Sequence, residues 1–577
     1  MDPILTEVIA NALSSVAAEM QWTLFRTGYS TVIRESEDAS SAVLDRNGTV
    51  ITIRATLPYH MGVYETAAAS LLERYPEENL GEGDAFIVNH AYESGCPHLS
   101  DFCVLVPYFR NGKLAGFCGN TAHKPDIGGS VPGSGSGSAT ELFQEGTIVP
   151  VTRFFRRGER NDEIYYMLRA NSRAPDLLVG DLEAQVGTAS MGCKRLDEVM
   201  DRFGSDTVLN AFDVLVDTTK QRVQKIVSTW KKGIYHAMGY LDDDGVRRGQ
   251  RVKIVLRMEI NDEGILFDFS DTDDQTVGPT NLRPPLVECA VAYELKCFAG
   301  EDIPFNGGFR RAMRVICRPG SVLNPRFPAP ISCYVLPLHR VTQVALQALG
   351  QVIPEKATAC ASGCGAVIIG SNKPNLLGGN YGHYEIVTGA YGASSHADGA
   401  SGIDIHVTNC RVTPIEIIET EYPTRILRFE LRRDSGGPGK FRGGLGYRRL
   451  YEMLADGPVL TRRDDGHEVP APGWDGGLPG KTARFVINPG EAKEQVLPGK
   501  FGGFALSNGD RMLLERGGGG GYGDPLDRPA EQVLEDVLNG YVSTESAWDD
   551  YGVRIRGESI DEQETAAARA ARKSQRR

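Results

Sequence analysis

The stretch Asn89–Gly129, NHAYESGCPHLSDFCVLVPYFRNGKLAGFCGNTAHKPDIGG, leaves less freedom of local fold than any other part of the chain. FCVLVPYF reads as a strand, RNGK as a turn with Asn111-Gly112 at its tip, and LAGFCGN as the returning strand. Closing this hairpin brings its two ends together. His98-Leu99-Ser100-Asp101 then stands beside His123-Lys124-Pro125-Asp126, two histidines each followed three residues later by a carboxylate. Neutral imidazole and carboxylate suit Zn²⁺, Mn²⁺ or Fe²⁺. One divalent ion held there would activate a water or polarise a carbonyl. A single histidine near a strand end is ordinarily a hydrogen-bonded structural residue, so the weight rests on the repeated spacing at both ends of one hairpin.

With 577 residues the chain is too long for one core and predicts two to four domains. No run of eighteen apolar residues exists, so no membrane span is expected. The N-terminus, MDPILTEVIANALSSVAAEMQWTLFRTGYS, reads as an amphipathic helix rather than a signal peptide, so a cytoplasmic location is expected. A net charge of −13 argues against nucleic acid as a partner, since phosphate contacts need clustered Lys and Arg. The eleven cysteines include no CxxC pair and read as reduced, mostly buried thiols. There is no GxxxxGK[ST] and no strand-GxGxxG-helix unit, so no nucleotide-phosphate loop.

Along the chain, SSAVLD and TVITIRA are strands joined by a DRNG turn, preceded by an acidic cluster (Glu35, Glu37, Asp38) of which one member would turn inward. PYHMG leads into the helix VYETAAASLLERYP. The loop GGSVPGSGSGSATELFQEG reads as a segment that covers or lines a site, with 133–138 as a candidate lid. Residues 160–240 are helical, and strands begin near 241. The expected segments are 1–240, an α/β part carrying the metal residues; 241–460, a mixed α/β part; and 461–577, a β-rich part with a terminal helix. Gly517–Gly521 reads as a flexible turn or partner-contact loop.

Many segments in order carry a family resemblance: DPILTEVIANAL, RESEDASSAVLD, PYHMG, HLSD, AHKPDIGG, TELFQEG, NSRAPDLLVGDLEAQ, DFSDTDDQTVGPTN, DSGGPGKFRGGLG and GGGGGYGDPLDR. In these the chain resembles the hydantoinase B / 5-oxoprolinase family, which includes subunits of ATP-dependent hydantoinases and lactamases and, more distantly, of acetone and acetophenone carboxylases. The resemblance implies a mixed α/β (α+β) multi-domain fold, with hairpins and helices in the N-terminal part and a β-rich C-terminal half. It implies one divalent metal, Zn²⁺ foremost with Mn²⁺ or Fe²⁺ as alternatives, held by Asp38, His98, Asp101 and His123. Asp126 would orient a ligand or take a proton, and His60 would line the pocket. It further implies an ATP-Mg-binding partner of the hydantoinase A type in an (αβ)2 assembly, and a small cyclic amide as substrate. Where the family commonly has NDPYxGGTHLPD this chain has NHAYESGCPHLSD, with His90 in place of an Asp and one residue more before His98, a departure that bears on substrate preference. The expected activity is ring opening of a hydantoin, lactam or 5-oxoproline whose carbonyl oxygen the partner has phosphorylated. The alternatives are a subunit of an ATP-dependent ketone carboxylase, or a non-catalytic structural subunit of such a complex.

Overall fold

The computed structural model describes residues 1–371 and 380–576. An N-terminal sheet contains β1 (Ala39–Asp45), β2 (Val50–Ala55), β3 (Ala85–Val88), β4 (Asp101–Arg110), β5 (Lys113–His123), β6 (Thr152–Arg156) and β7 (Glu159–Arg160). Its order is β2-β1-β5-β4-β3-β6-β7, antiparallel throughout. The predicted hairpin is β4–β5. Its turn residues Asn111 and Gly112 both have positive φ, 53° and 70°, the combination whose twist matches the flanking strands.

β4 and β5 are apolar almost without alternation because both faces of the sheet are covered. Phe102, Val104 and Val106 pack with Ile9, Leu13 and Met20 of the helix Pro3–Thr27 and with Leu178 and Leu182 of the helix Pro175–Phe203. Cys103 and Leu105 face the other way, into the cluster that holds Met61, Tyr64 and Leu71 of the helix His60–Arg74. That second cluster runs on to Val407 and Cys410, across the change of pattern near 240.

A two-stranded sheet, Ile555–Arg556 with Ser559–Ile560, lies near the C-terminus, and three larger sheets precede it. One orders the strands Arg314–Ile316, Gly264–Asp268, Val252–Asn261 and Gly233–Leu241; the next Tyr381–Val387, Gly365–Ser371, Val459–Arg463 and Lys500–Ala505; the last Thr424–Leu431, Tyr447–Met453, Arg511–Glu515, Arg484–Ile487 and Gln495–Leu497. The latter two sheets share a core that includes Val367, Ile369, Leu460, Tyr451, Phe485 and Leu514. Within the β-rich stretch expected over 365–460, residues 372–379 lie outside the described residues. No helix among the described residues is long and apolar enough to cross a membrane.

Gly517–Gly521 is not a flexible turn. All five residues are buried. The amides of Gly518, Gly519, Gly520 and Gly521 donate to the carbonyls of Lys481, Gly444, Cys360 and Leu478, and the carbonyls of Gly519, Gly520 and Gly521 accept from Gly437, Ala393 and Trp474. Main chains thus approach this segment from several sides. A Cβ on Gly519 would run into the Tyr391 carbonyl, and one on Gly521 into the Pro438 carbonyl. Glycine is required here by close backbone approach, not by mobility.

Candidate metal centre

Asp101 opens β4 and His123 closes β5, and the register pairs them directly. His98 sits one turn before Asp101, whose amide donates to the His98 carbonyl at 3.2 Å. The turn is held by Asn89, whose side chain donates to the carbonyls of Leu99 (2.7 Å) and Thr147 (2.9 Å). Three ligand atoms converge. His98 Nε2 and His123 Nδ1 each lie 3.1 Å from Asp101 Oδ1 and 3.2 Å from one another. Among the described residues this is the one group of three or more His, Cys, Asp or Glu ligand atoms lying within 4.8 Å of each other. All three side chains are buried.

The protonation states favour an ion. Burial lowers both imidazoles, His123 to about 3 and His98 also below its usual value. Burial would raise Asp101, but the two histidines outweigh it and hold the carboxyl well below the usual carboxylate range. Neutral imidazoles beside an ionised carboxylate are the forms that bind metal. Asp101 Oδ2 and His123 Nε2 are buried without a hydrogen-bond partner. Three donors about 2.1 Å from one ion and roughly at right angles would stand about 3.0 Å apart, so the observed triangle is of the size a divalent ion needs. Two histidines and one carboxylate suit Zn²⁺, Mn²⁺ or Fe²⁺.

The other expected residues fall in different places. Asp38 has turned inward, 6% exposed. It lies just before β1, and its carbonyl accepts from the His123 amide at 3.3 Å. Its carboxyl is outside the converging triad. Burial, with Asp101 and Asp404 adding repulsion, raises its pKa well above the carboxylate range; a cation at the triad would reverse that. His60 begins the helix His60–Arg74. Its Nδ1 is 2.7 Å from Ser40 Oγ, its Nε2 is buried without a partner, and burial lowers it to about 4.

Asp126 does not do what its spacing suggests. Its Oδ1 accepts from the amides of Gly128 and Arg173, both at 2.9 Å, and its Oδ2 from the Gly133 amide at 2.8 Å and from Arg173 Nη1 at 3.2 Å. Both oxygens are spent on anchoring the loop that follows, and none of these partners is a metal residue. That loop is not an open lid either. Gly133, Ser134, Gly135, Ser136 and Gly137 are buried.

Several residues of the site carry no local signal in the sequence. Tyr334 and Tyr384 lie against the rings of His98 and His123, with centroids 4.9 and 4.1 Å away. The Tyr334 hydroxyl is 2.7 Å from that of Tyr59. Arg463, at the end of its strand, places Nη1 3.2 Å from His98 Nδ1 and donates to the Ser332 carbonyl at 2.7 Å. Lys124 is fully buried, donates to the Ala122 carbonyl at 3.0 Å, and is lowered by burial to about 8. Glu145, in the TELFQEG segment, accepts from the amides of Ile331 and Ser332, both at 2.7 Å. Asp38, Tyr59, Tyr334, Tyr384, Asp404 and Arg463 line a cavity of ≈ 30 Å³, room for a small polar group but not for a whole ring.

Residues 2–525 match the family model for hydantoinase B/oxoprolinase. The chain is 33% identical over 584 residues to the B-type subunit of a putative D-/L-hydantoinase from Pseudomonas sp. (strain NS671), covering 98% of this chain and 97% of that one. It is 31% identical to the beta subunit of the caprolactamase of Pseudomonas jessenii, covering 99% of each chain. Against the 5-oxoprolinase of Dictyostelium discoideum the identity is 27%, over 91% of this chain and 40% of that protein. The crystal structure of the ATP-dependent caprolactamase from Pseudomonas jessenii matches with a TM-score of 0.91 at 29% identity, over 99% of this chain and 100% of that one. A nucleotide-free acetone carboxylase matches with a TM-score of 0.92 at 20% identity, over 100% of this chain and 83% of that one, a likeness of fold alone.

Proposed function

Because this chain belongs to the hydantoinase B/oxoprolinase family, we propose that it is the metal-dependent subunit of an ATP-dependent cyclic amidase acting on hydantoin, lactam or 5-oxoproline rings. The convergence of His98, Asp101 and His123 on one point is the observation that carries the proposal. His98, Asp101 and His123 would hold the ion, and Asp38, buried beside them, would be the fourth ligand. A divalent ion there supplies Lewis acidity, which makes water a nucleophile near neutral pH. Tyr334 and Tyr384 fix the two imidazole rings, and burial keeps bulk water away from the reacting carbon.

An unstrained amide is a poor electrophile. Moving the γ-phosphoryl group of ATP onto the ring carbonyl oxygen, in a hydantoinase A-like partner that binds ATP-Mg, activates the carbon. Water then adds, the C–N bond breaks as the ring nitrogen takes up a proton, and a second water cleaves the acyl phosphate that this leaves. The products are the ring-opened acid, ADP and inorganic phosphate. The names of the two relatives from Pseudomonas, each a subunit, support a partner, and an (αβ)2 assembly is the arrangement proposed.

The test is reconstitution with the ATP-binding partner, reading ring-opened product and ADP by mass spectrometry for wild type and His123→Ala. Loss of ring opening in the variant is expected. Wild-type turnover by a metal-free His123→Ala complex would sink the site. A product that gains a carboxylate from labelled bicarbonate would move the chain to the carboxylases.

A further inference from the structure

Arg463 is 3% exposed, and among the described residues no carboxylate lies within ion-pair distance of it. Its Nη1 is occupied by the Ser332 carbonyl and His98 Nδ1, while its Nη2 is buried with no hydrogen-bond partner. Arginine stays charged at any working pH, so this is a buried cation with no carboxylate at contact distance among the described residues, and an anion within reach of Nη2 would complete its hydrogen bonding. The surroundings hold the guanidinium in place. Its carbon sits 5.2 Å over the Tyr384 ring. Gly135 comes so close that a Cβ there would lie 2.9 Å from Nη1, and its φ is +54°. The cavity beside the triad is lined by Arg463.

Metal binding strengthens the case. A neutral imidazole has one N–H. If His98 offers the Nε2 lone pair to an ion, the proton sits on Nδ1 and faces Arg463 Nη1, donor against donor. Arg463 then loses an acceptor and has two nitrogens to offer.

We propose that Arg463 forms an oxyanion site next to the metal centre and binds the phosphoryl oxygens of the activated substrate, a role that rests on the ATP-dependent reaction proposed above. The cavity takes a small charged group while the rest of the substrate lies outside it. Once a second water has cleaved the acyl phosphate left by C–N breakage, the same guanidinium holds the departing phosphate. Arg463 touches substrate and is in that sense catalytic.

The probe is inorganic phosphate, measured by equilibrium dialysis against the purified metal-loaded chain for wild type, Arg463→Lys and Arg463→Gln, with metal content and melting temperature recorded for each. Wild type is expected to bind phosphate. Arg463→Gln is expected to bind it about 10- to 100-fold more weakly, the value of a charge-assisted hydrogen bond, with metal content unchanged and Arg463→Lys in between. Equal affinity in wild type and Arg463→Gln, or no binding by metal-loaded wild type, overturns the proposal. Should both variants fail to fold, wild type loaded with Mn²⁺ decides alone. The ³¹P relaxation of phosphate must be enhanced by the ion, and no enhancement overturns the site. Turnover separates the two claims. In the complex, Arg463→Gln should lower kcat about 10²-fold; phosphate binding that depends on Arg463 without any ring opening by wild type fails the proposed reaction and leaves the oxyanion site standing.

Discussion

His98 Nε2 and His123 Nδ1 lie 3.2 Å apart, although they come from opposite ends of a hairpin. Antiparallel register makes them neighbours, since Asp101 and His123 are cross-strand partners and His98 is one turn upstream. Two neutral imidazoles at this distance share one carboxylate oxygen.

Metal content follows from that geometry. The purified chain should carry about one equivalent of Zn²⁺, Mn²⁺ or Fe²⁺, as a single three- or four-ligand site dictates. His98→Ala/His123→Ala should carry none by elemental analysis. Chelation of wild type should lower its melting temperature, because an ion bound only to the folded state stabilises it.

Asp126 should behave as a loop anchor. Asp126→Ala leaves the buried-side Arg173 contact and three amides without their acceptor. The expected loss is about 3–5 kcal/mol of stability, seen as a lower melting temperature, with metal content retained. Loss of the metal with unchanged stability would restore Asp126 to the metal site.

Glu145 should make stability depend on pH. Burial raises its carboxyl from 4.5 to about 8, against the pull of the Ser332 and Ile331 amides. Between those values the folded state keeps a proton that the unfolded chain has lost, so stability falls as pH rises from 4.5 through about 8. Glu145→Gln keeps the acceptor for both amides and removes the titration. The melting temperature of wild type relative to Glu145→Gln should therefore decline from pH 5 to pH 8, by the equivalent of about 2–4 kcal/mol. A constant difference would show that Glu145 does not titrate there.

Gly519→Ala should not fold. Its Cβ would overlap the Tyr391 carbonyl, and on either side the segment is hydrogen-bonded to other backbones that have no room to retreat. The cost exceeds about 4 kcal/mol. Soluble expression and a cooperative melt comparable to wild type would contradict the close packing of this segment.

Local chemistry alone determined the hairpin, its Asn111-Gly112 turn, the long helices and the two ends that carry His98, Asp101 and His123. Strand pairing across a tight turn is a short-range affair, and two apolar runs parted by Asn111-Gly112 show in the sequence. The second His-x-x-Asp misled because identical spacing does different things in different backbones. Between His98 and Asp101 the chain turns back on itself. After His123 it leaves the strand through Pro125, and Asp126 meets its own loop instead. Arg463 lies 365 positions from the histidine it touches, and Tyr334 and Tyr384 are similarly remote. Only the packing of one later sheet, which carries Tyr384 and Arg463, and of the helix Val335–Val352, which Tyr334 precedes, brings them to the site. The glycine run shows the same division. Its composition was plain, but whether glycine serves motion or close contact depends on what lies around it, and here other main chains hem it in.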